Sequence, residues 1–261
     1  MAKTVLVLGG TGIVGRCTVN SLLHQGAHVR TFSRSGERVA EDTVPFRGDL
    51  FTGEGLESAL QGVDSVVDVS TVRSLSAKTS AKFFSSSTKR IHEFGKRSGL
   101  NHIVALSIVG IDAAPYSYYV GKLKQESLVL DGPVPGTVLR ATQFHEMAAQ
   151  MAGRFTRGPF TFVPDMPVQP VAAAEVGSVL SDLALGAPTG RVPDVAGPRQ
   201  EKMVSMVRHY LRSNGIRRIV VPIPMSGRYG KVVRGGALLA DASAKLVGPS
   251  FTEWLSAGHD R

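Results

Sequence analysis

Val5-Leu6-Val7-Leu8 is a short run of branched apolar side chains that leads directly into Gly9-Gly10-Thr11-Gly12-Ile13-Val14-Gly15, and Arg16 then opens an amphipathic stretch. An apolar run, a glycine turn and a helical pattern in that order describe a strand that bends sharply into a helix N-terminus. Gly9 permits the sharp exit, Gly12 lets an anion approach the backbone, and Gly15 lets the helix lie close to the sheet. The unpaired N–H groups of the first helical turn then face a phosphate. The spacing is G-x-x-G-x-x-G, a relative of the dinucleotide fingerprint G-x-G-x-x-G, found here near the start of the chain and in the context that fingerprint requires. A tight turn with no ligand is the alternative reading.

The chain has 261 residues, 43% of them hydrophobic, enough for one large α/β domain or such a core with a small lobe. No run approaches the ~20 apolar residues of a membrane span, and the first strand begins too early for a secretory signal, so a cytoplasmic protein without membrane attachment is expected. One cysteine, Cys17, excludes an internal disulfide and a cysteine metal cluster, and the histidines show no metal-ligand spacing. The formal net charge is +9, with the excess concentrated in residues 70–100 and 199–245. No aromatic residues interleave with these basic clusters in the way single-strand binders use, and no zinc-finger or RNP pattern is present, which reads as a solvated basic face with a few phosphate contacts rather than a nucleic-acid surface.

A helix is expected over residues 13–24 and a second strand over 28–32. The end of that strand bears on cofactor choice, because an acidic residue there accepts from the adenosine ribose and repels a 2′-phosphate. Here the residues are Ser33 and Arg34, with Arg38 nearby. A hydroxyl and a guanidinium favour the phosphate, so NADP is preferred and NAD is the second candidate. A third strand over 44–47 ends in Gly48-Asp49-Leu50, where Asp49 either accepts from an adenine amino group or caps a helix over 54–60. The fourth strand, 65–69, brings Ser70 and Thr71 to its C-terminal edge. A Ser/Thr/Lys-rich stretch then becomes a helix running to Lys96 and stopped by Gly99, and a fifth strand over 103–106 delivers Ser107 to the same edge. Apolar strands alternating with helices at this spacing predict a doubly wound parallel α/β sheet covered on both faces, with ligands bound beyond the strand C-termini.

Tyr116-Ser117-Tyr118-Tyr119-Val120-Gly121-Lys122 follows. Tyr118 and Lys122 are four apart and share one helix face. A phenol of pKa ~10 is a poor acid at neutral pH, and an ammonium one turn away is expected to lower that value and allow proton exchange with a carbonyl or hydroxyl. Ser107 can donate to the same oxygen. A cofactor-binding lysine beside an idle tyrosine, or a plain helix pair, are the alternatives.

The chain resembles the short-chain dehydrogenase/reductase superfamily, and within it the atypical NmrA-like NAD(P)-binding branch. The residues that carry the likeness are 9–15, Gly48-Asp49-Leu50, Ser107-Ile108-Val109-Gly110 and Tyr118 through Lys122. Residues 139–145 and 168–172 continue it, and Phe251-Thr252-Glu253-Trp254-Leu255 looks like the branch's usual ending. The resemblance implies that Gly9, Thr11, Gly12, Ile13 and Gly15 hold the pyrophosphate, Ser33 and Arg34 the 2′-phosphate, and Asp49 and Leu50 the adenine. It implies that Ser70 and Thr71 line the crevice, that Lys122 contacts the nicotinamide ribose, and that Thr142, Gln143 and Phe144 face the nicotinamide. Ser107 and Tyr118 are then polariser and proton donor. The chain departs from typical members in ending its fourth strand Asp68-Val69-Ser70-Thr71 instead of Asn-Asn-Ala-Gly, and in having no asparagine between Asn20 and Asn101 for their proton relay.

The expectation is a single NAD(P)-binding Rossmann-type domain over 1–261 with a small C-terminal substrate lobe drawn from about 144–172 and 198–261. Helices are expected over 176–185 and 203–212 and a last strand over 219–224. Phe155, Phe160 and Phe162 with Met147, Met151 and Met166 either line an apolar substrate pocket or pack a core. His145 is read as structural before catalytic. The function expected is NADPH-dependent hydride transfer to a small-molecule substrate, a carbonyl, quinone or related electrophile, apolar or aromatic in character. A redox sensor without turnover and a nicotinamide-retaining epimerase or dehydratase are the alternatives. The pattern fits a monomer or a homodimer.

Overall fold

The computed structural model describes residues 2–74 and 76–258. In chain order the elements are β1 (Thr4–Leu8), α1 (Ile13–His24), β2 (His28–Ser33), β3 (Thr43–Arg47), α2 (Leu56–Leu60), β4 (Ser65–Asp68), α3 (Ala77–Ser98), β5 (His102–Ile108), α4 (Tyr118–Leu130) and β6 (Gly136–Ala141). After these come α5 (Met147–Arg154), β7 (Thr156–Arg157), β8 (Phe160–Asp165), β9 (Pro167–Val168), α6 (Ala173–Leu185), β10 (Gly190–Arg191), β11 (Val195–Ala196) and β12 (Glu201–Lys202). The chain closes with α7 (Met203–Ser213), β13 (Ile219–Pro224), α8 (Gly227–Arg234), β14 (Lys245–Leu246) and α9 (Phe251–Ser256). These form two compact units, one of Met1–Ser107, Pro115–Arg140 and Val176–Val192, the other of Ile108–Ala114, Ala141–Glu175 and Pro193–Arg261.

The first unit is the doubly wound sheet that the alternating pattern predicts. Its strands run β6-β5-β4-β1-β2-β3, with β10 beside β6. The chain leaves β1 for β2 and β3 on one side, then returns to β4 on the other. The order therefore reverses between β1 and β4, the crevice where sheets of this type bind ligands. Central strands are buried on both faces, which is why β1 is a nearly continuous apolar run, while β4 and β6 bury Asp68 and Arg140 among their apolar residues. Pro45 is tolerated in β3 because that strand is the sheet edge. The core includes Leu6, Leu8, Phe32, Leu56, Leu60, Val66, Ile91, Ile103 and Val138.

Helix ends follow local chemistry. Ser76 Oγ accepts from Thr79 N to start α3, and Gly99 ends it at φ 75°, so the helix runs past Lys96 to Ser98. Helix α2 starts at Leu56 instead of residue 54 because Gly53 and Gly55 take left-handed conformations, with φ 87° and 73°.

In the second unit β8 lies between β7 and β13, β9 pairs with β12, and β11 pairs with both β14 and Ala141. Its core comprises Ala148, Val163, Val168, Met203, Val207, Phe251 and Trp254 among others. A capping box between Ser250 and Glu253 starts α9. The strand over 219–224 is not the last one. Strand β14 follows it, but its two exposed residues carry no apolar run for a periodicity argument to find.

Candidate active site

Gly9 leaves β1 with φ 81°, its N–H donating to Phe32 O at 3.1 Å, and Gly12 N closes the turn onto Gly9 O at 3.0 Å. A Cβ on Gly15 would lie 2.3 Å from Gly9 O, so only glycine lets α1 start this close to the turn. Gly12 is the extended N-cap of α1, with no side-chain cap and no acidic residue in the first turn. A Cβ there would meet only Gly9 O, at 3.4 Å, and Ile13 beside it is 41% exposed. The orphan N–H groups of this turn therefore open onto space without a capping carboxylate, and the cradle fits a dinucleotide pyrophosphate.

At the end of β2, Ser33 Oγ accepts from Gly36 N at 3.1 Å and lies 3.2 Å from Ser35 Oγ, which shapes a hydroxyl-rich turn. Arg34 is exposed on it. Arg38 is committed elsewhere, with Nη1 donating to Glu41 O and Thr43 O at 2.8 and 2.7 Å. The acid Glu37 is held by Arg16 at 2.8 Å. Asp49 Oδ1 accepts from Phe51 N at 2.6 Å and Thr52 N at 3.3 Å. That oxygen organises its own turn and not the N-terminus of α2. Leu50 is buried.

Ser70 lies just past β4, against Gly9, and Ser107 lies in β5. The β4–β5 register pairs Asp68 with Ala105, and continuing it by two residues brings Ser70 level with Ser107. Both hydroxyls are buried and neither has a hydrogen-bond partner. Buried hydroxyls left unpaired at the ligand edge of a parallel sheet have the character of groups that await a ligand.

Tyr118 begins α4. Its hydroxyl lies 3.1 Å from Thr71 Oγ1, its ring meets Phe84 edge-on at 5.5 Å, and its carbonyl accepts from Ser80 Oγ at 2.8 Å. Burial pushes its pKa up to about 12, with the Thr71 hydrogen bond opposing and the negative charge of Asp68 adding. The expectation that Lys122 would lower this value is therefore reversed. Lys122 shares the helix face but is buried, and its Nζ donates to Gln125 Oε1 at 2.5 Å over the Phe84 ring at 4.7 Å. Gln125 Nε2 donates in turn to Asp68 Oδ2 at 2.7 Å, and Asp68 Oδ1 accepts from Ser70 N at 2.9 Å. Burial pulls the Lys122 pKa down to about 8, opposed by Asp68 and Glu126. Glu126 is itself gripped by Arg140 through two hydrogen bonds of 2.7 and 2.6 Å, with both side chains buried.

Helix α3 supports this face because Gly121 lets it approach. A Cβ at Gly121 would stand 2.0 Å from Ser80 Oγ and 2.7 Å from both the Ser80 carbonyl carbon and the Phe84 ring. Gly121→Ala is expected to cost about 1–3 kcal/mol by overpacking, read as a lower urea midpoint at unchanged m-value. An unchanged midpoint would show that α3 can retreat freely. Ser117, the residue before Tyr118, holds φ 52°, the one positive value at a non-glycine among the described residues.

Thr142, Gln143 and Phe144 belong to the second unit. Thr142 Oγ1 donates to Gln169 O, Gln143 donates to Leu238 O and accepts from Gln169 N, and Phe144 bridges to Val171. His145 is structural, with Nε2–H donating to Pro249 O at 3.1 Å beside the Phe251 and Trp254 rings, and burial lowers its pKa to about 4. Met147, Met151 and Met166 pack on the core of that unit, whereas Phe155 and Phe160 are exposed, so the six apolar residues do not line one cavity. Among the described residues no group of three or more His, Cys, Asp or Glu could hold a metal, and no helix is long and apolar enough to cross a membrane.

The residues that carry the polar network include three that sequence reading did not single out for the site: Asp68, Gln125 and Glu126. Gln125 stands three positions after Lys122, on the same helix face, and Asp68 is the one charge in an apolar strand. Those two signals were available.

The family model described as NAD(P)H-binding matches residues 9–183. The chloroplastic divinyl chlorophyllide a 8-vinyl-reductase of Arabidopsis thaliana is 29% identical over 143 residues, 49% of this chain and 34% of that protein, so the match spans about a third of the plant protein's length. Among solved structures, an NADPH-dependent quinone oxidoreductase from Escherichia coli superposes with a TM-score of 0.72 at 15% identity, covering 98% of this chain and 99% of that one. The UDP-glucose 4-epimerase of Thermus thermophilus, in complex with NAD, gives 0.69 at 16% identity over 99% and 93%. An oxidoreductase and an epimerase thus share this fold, which does not by itself select a reaction.

Proposed function

This chain belongs to the NAD(P)H-binding family, and we propose that within it the protein is an NADPH-dependent oxidoreductase that reduces a carbonyl, quinone or related small apolar or aromatic electrophile, with Tyr118 as proton donor. The observation that carries this reading is the Tyr118 hydroxyl, set against Thr71 at the end of β4, the strand beside the one that exits into the glycine cradle. The bound cofactor supplies the hydride. The protein supplies position and a proton. The first turn of α1 holds the pyrophosphate, and Ser33 and Arg34 receive the 2′-phosphate, with Glu37 of the following loop neutralised by Arg16. Tyr118 remains protonated throughout the physiological range because its pKa is pushed up to about 12. It gives that proton to the substrate oxygen as negative charge develops there, since a phenolate is a weaker base than an alkoxide. Ser107 donates a second hydrogen bond to the same oxygen and Thr71 orients the phenol. Lys122 contributes its charge to the cofactor's ribose side. A protonated tyrosine is the form from which the reduction starts.

The likeness to a plant reductase supports this direction and leaves the substrate open. Oxidation of NADPH against a panel of quinones, ketones and aldehydes tests the reaction, and tight NADPH binding with no turnover across the panel would point to a cofactor-sensing role instead. For cofactor choice, Arg34→Ala is expected to weaken NADPH by roughly 10- to 100-fold, the loss of one charge-assisted contact, and to leave NADH affinity unchanged. Fluorescence titration with both cofactors decides the point. An equal loss for the two, or none, would remove Arg34 from the 2′-phosphate site.

A further inference from the structure

Lys122 is a deeply buried cation beside the ligand edge of the first unit. A lone ammonium in such a place would shed its proton or turn to solvent. Here it stays inside, joined by a bridge to a carboxylate that favours its charged form. Lys122 Nζ has only donors and the Asp68 carboxylate only acceptors, so a side chain between them must accept on one side and donate on the other. Gln125 does this, with Oε1 toward Lys122 and Nε2 toward Asp68 Oδ2. Its amide orientation is thereby forced. The other end of the bridge is fixed by backbone, since Asp68 Oδ1 accepts from Ser70 N, and Ser70 abuts Gly9 of the cradle.

We propose that Gln125 and Asp68 are positioning residues that act through Lys122: the Asp68–Gln125 bridge holds the ammonium protonated and in place for the cofactor's ribose side and couples it to the end of β4 and the glycine turn. This rests on the reading of Lys122 as a cofactor-binding residue. Among the described residues the charged and titratable groups that face Lys122 are few, and Tyr118, one turn before it on the same face of α4, stays neutral over the range tested. Strand β4 contributes Asp68, and α4 contributes Glu126, whose carboxylate is occupied by Arg140 of β6. Helix α3 contributes the Phe84 ring, which also touches Tyr118. Of the two carboxylates, Asp68 is the one whose hydrogen bond is passed to Lys122.

The test is NADPH affinity as a function of pH, between about pH 6 and 10, followed by cofactor fluorescence, with kcat and KM measured beside it where turnover is found. Affinity in the native protein is expected to fall on the alkaline side as Lys122 loses its proton, with a midpoint near the value of about 8 to which burial pulls it. Gln125→Leu and Asp68→Asn each remove negative polarity from the ammonium, so the midpoint should move down by roughly one pH unit. Gln125→Glu sets a second carboxyl between Nζ and Asp68, and although the two carboxyls hold a shared proton part of the time, together they carry more negative charge than Asp68 alone and should move it up. A purely structural role would lower thermal stability in all three variants without this opposite movement of the midpoint, and Gln125→Glu keeps the shape of the side chain should the others fold poorly. Lys122→Met separates the two levels of the argument. If it leaves the alkaline limb intact, Lys122 is not a cofactor residue and the functional reading of that residue fails. If it abolishes the limb while the Gln125 and Asp68 variants leave the midpoint where it was, the positioning role alone is overturned.

Discussion

Tyr118→Phe is expected to lower kcat by about 100- to 10,000-fold, the usual worth of a positioned proton donor, while leaving NADPH affinity within about twofold of the native value. The substitution removes one oxygen and keeps the ring, so the edge contact with Phe84 survives and the backbone bond from Ser80 is untouched. What disappears is the hydroxyl that faces Thr71. Steady-state kinetics on the best substrate of the panel, with cofactor titration in parallel, measures both. A fall in affinity matching the fall in rate would make Tyr118 a binding residue, and an unchanged rate would exclude it as the donor. The same variant reports the ionisation. Burial raises the Tyr118 pKa from its ordinary 10 to about 12, so the folded state holds this proton more tightly than the unfolded chain does. Its contribution to stability is complete below about pH 10 and is lost as pH rises through about 12. Phenolate absorbance of the native protein minus that of the Phe variant should accordingly show no Tyr118 ionisation below about pH 10.

The sheet and the cradle were legible in the sequence because their signals are local. Gly9, Gly12 and Gly15 act on their immediate neighbours, and strands such as β1 and β5 declare themselves as apolar runs. The serine-tipped strand ends follow from topology alone, and Ser70 and Ser107 lie where the alternation of elements put them. The side-chain directions were not legible. Helical spacing places Tyr118 and Lys122 on one face, but it cannot say whether an ammonium reaches for the neighbouring phenol or for a carboxylate on a strand far earlier in the chain. The inward choice depends on Asp68, Gln125 and Phe84 meeting in three dimensions, and the sign of the tyrosine shift is set by burial of the phenol, which spacing does not show either. Distant contacts explain His145 as well, since its place beside Phe251 and Trp254 is set more than a hundred residues downstream. Glu126 and Arg140 fall between these cases. Both stand in stretches that form the helix and strand their surroundings suggest, but only packing shows that they bury a charge pair.

Arg140→Met is expected to lower the stability of the protein by about 3–5 kcal/mol, because it leaves the Glu126 carboxylate buried without its partner. The pair is well made, with Nε on one carboxylate oxygen at 2.7 Å and Nη2 on the other at 2.6 Å. The two side chains are only 2% and 8% exposed, and bidentate geometry of this kind makes for the stronger class of charged hydrogen bond. Urea unfolding of the single variant and of Glu126→Leu/Arg140→Met would distinguish the cost of breaking the pair from the cost of having it. Apolar replacement of both partners often restores stability or exceeds it, so the double variant should recover most of the loss. Failure of the double variant to recover would mean that shape, and not uncompensated charge, decides this position. Recovery of stability need not carry recovery of function. Glu126 is one of the two carboxylates that favour the charged form of Lys122, and removing it leaves only the Asp68–Gln125 bridge to do so. A stable double variant whose NADPH affinity declines at lower pH than that of the native protein would show that a buried ion pair of little net value to folding is kept for the charge it maintains on its neighbour.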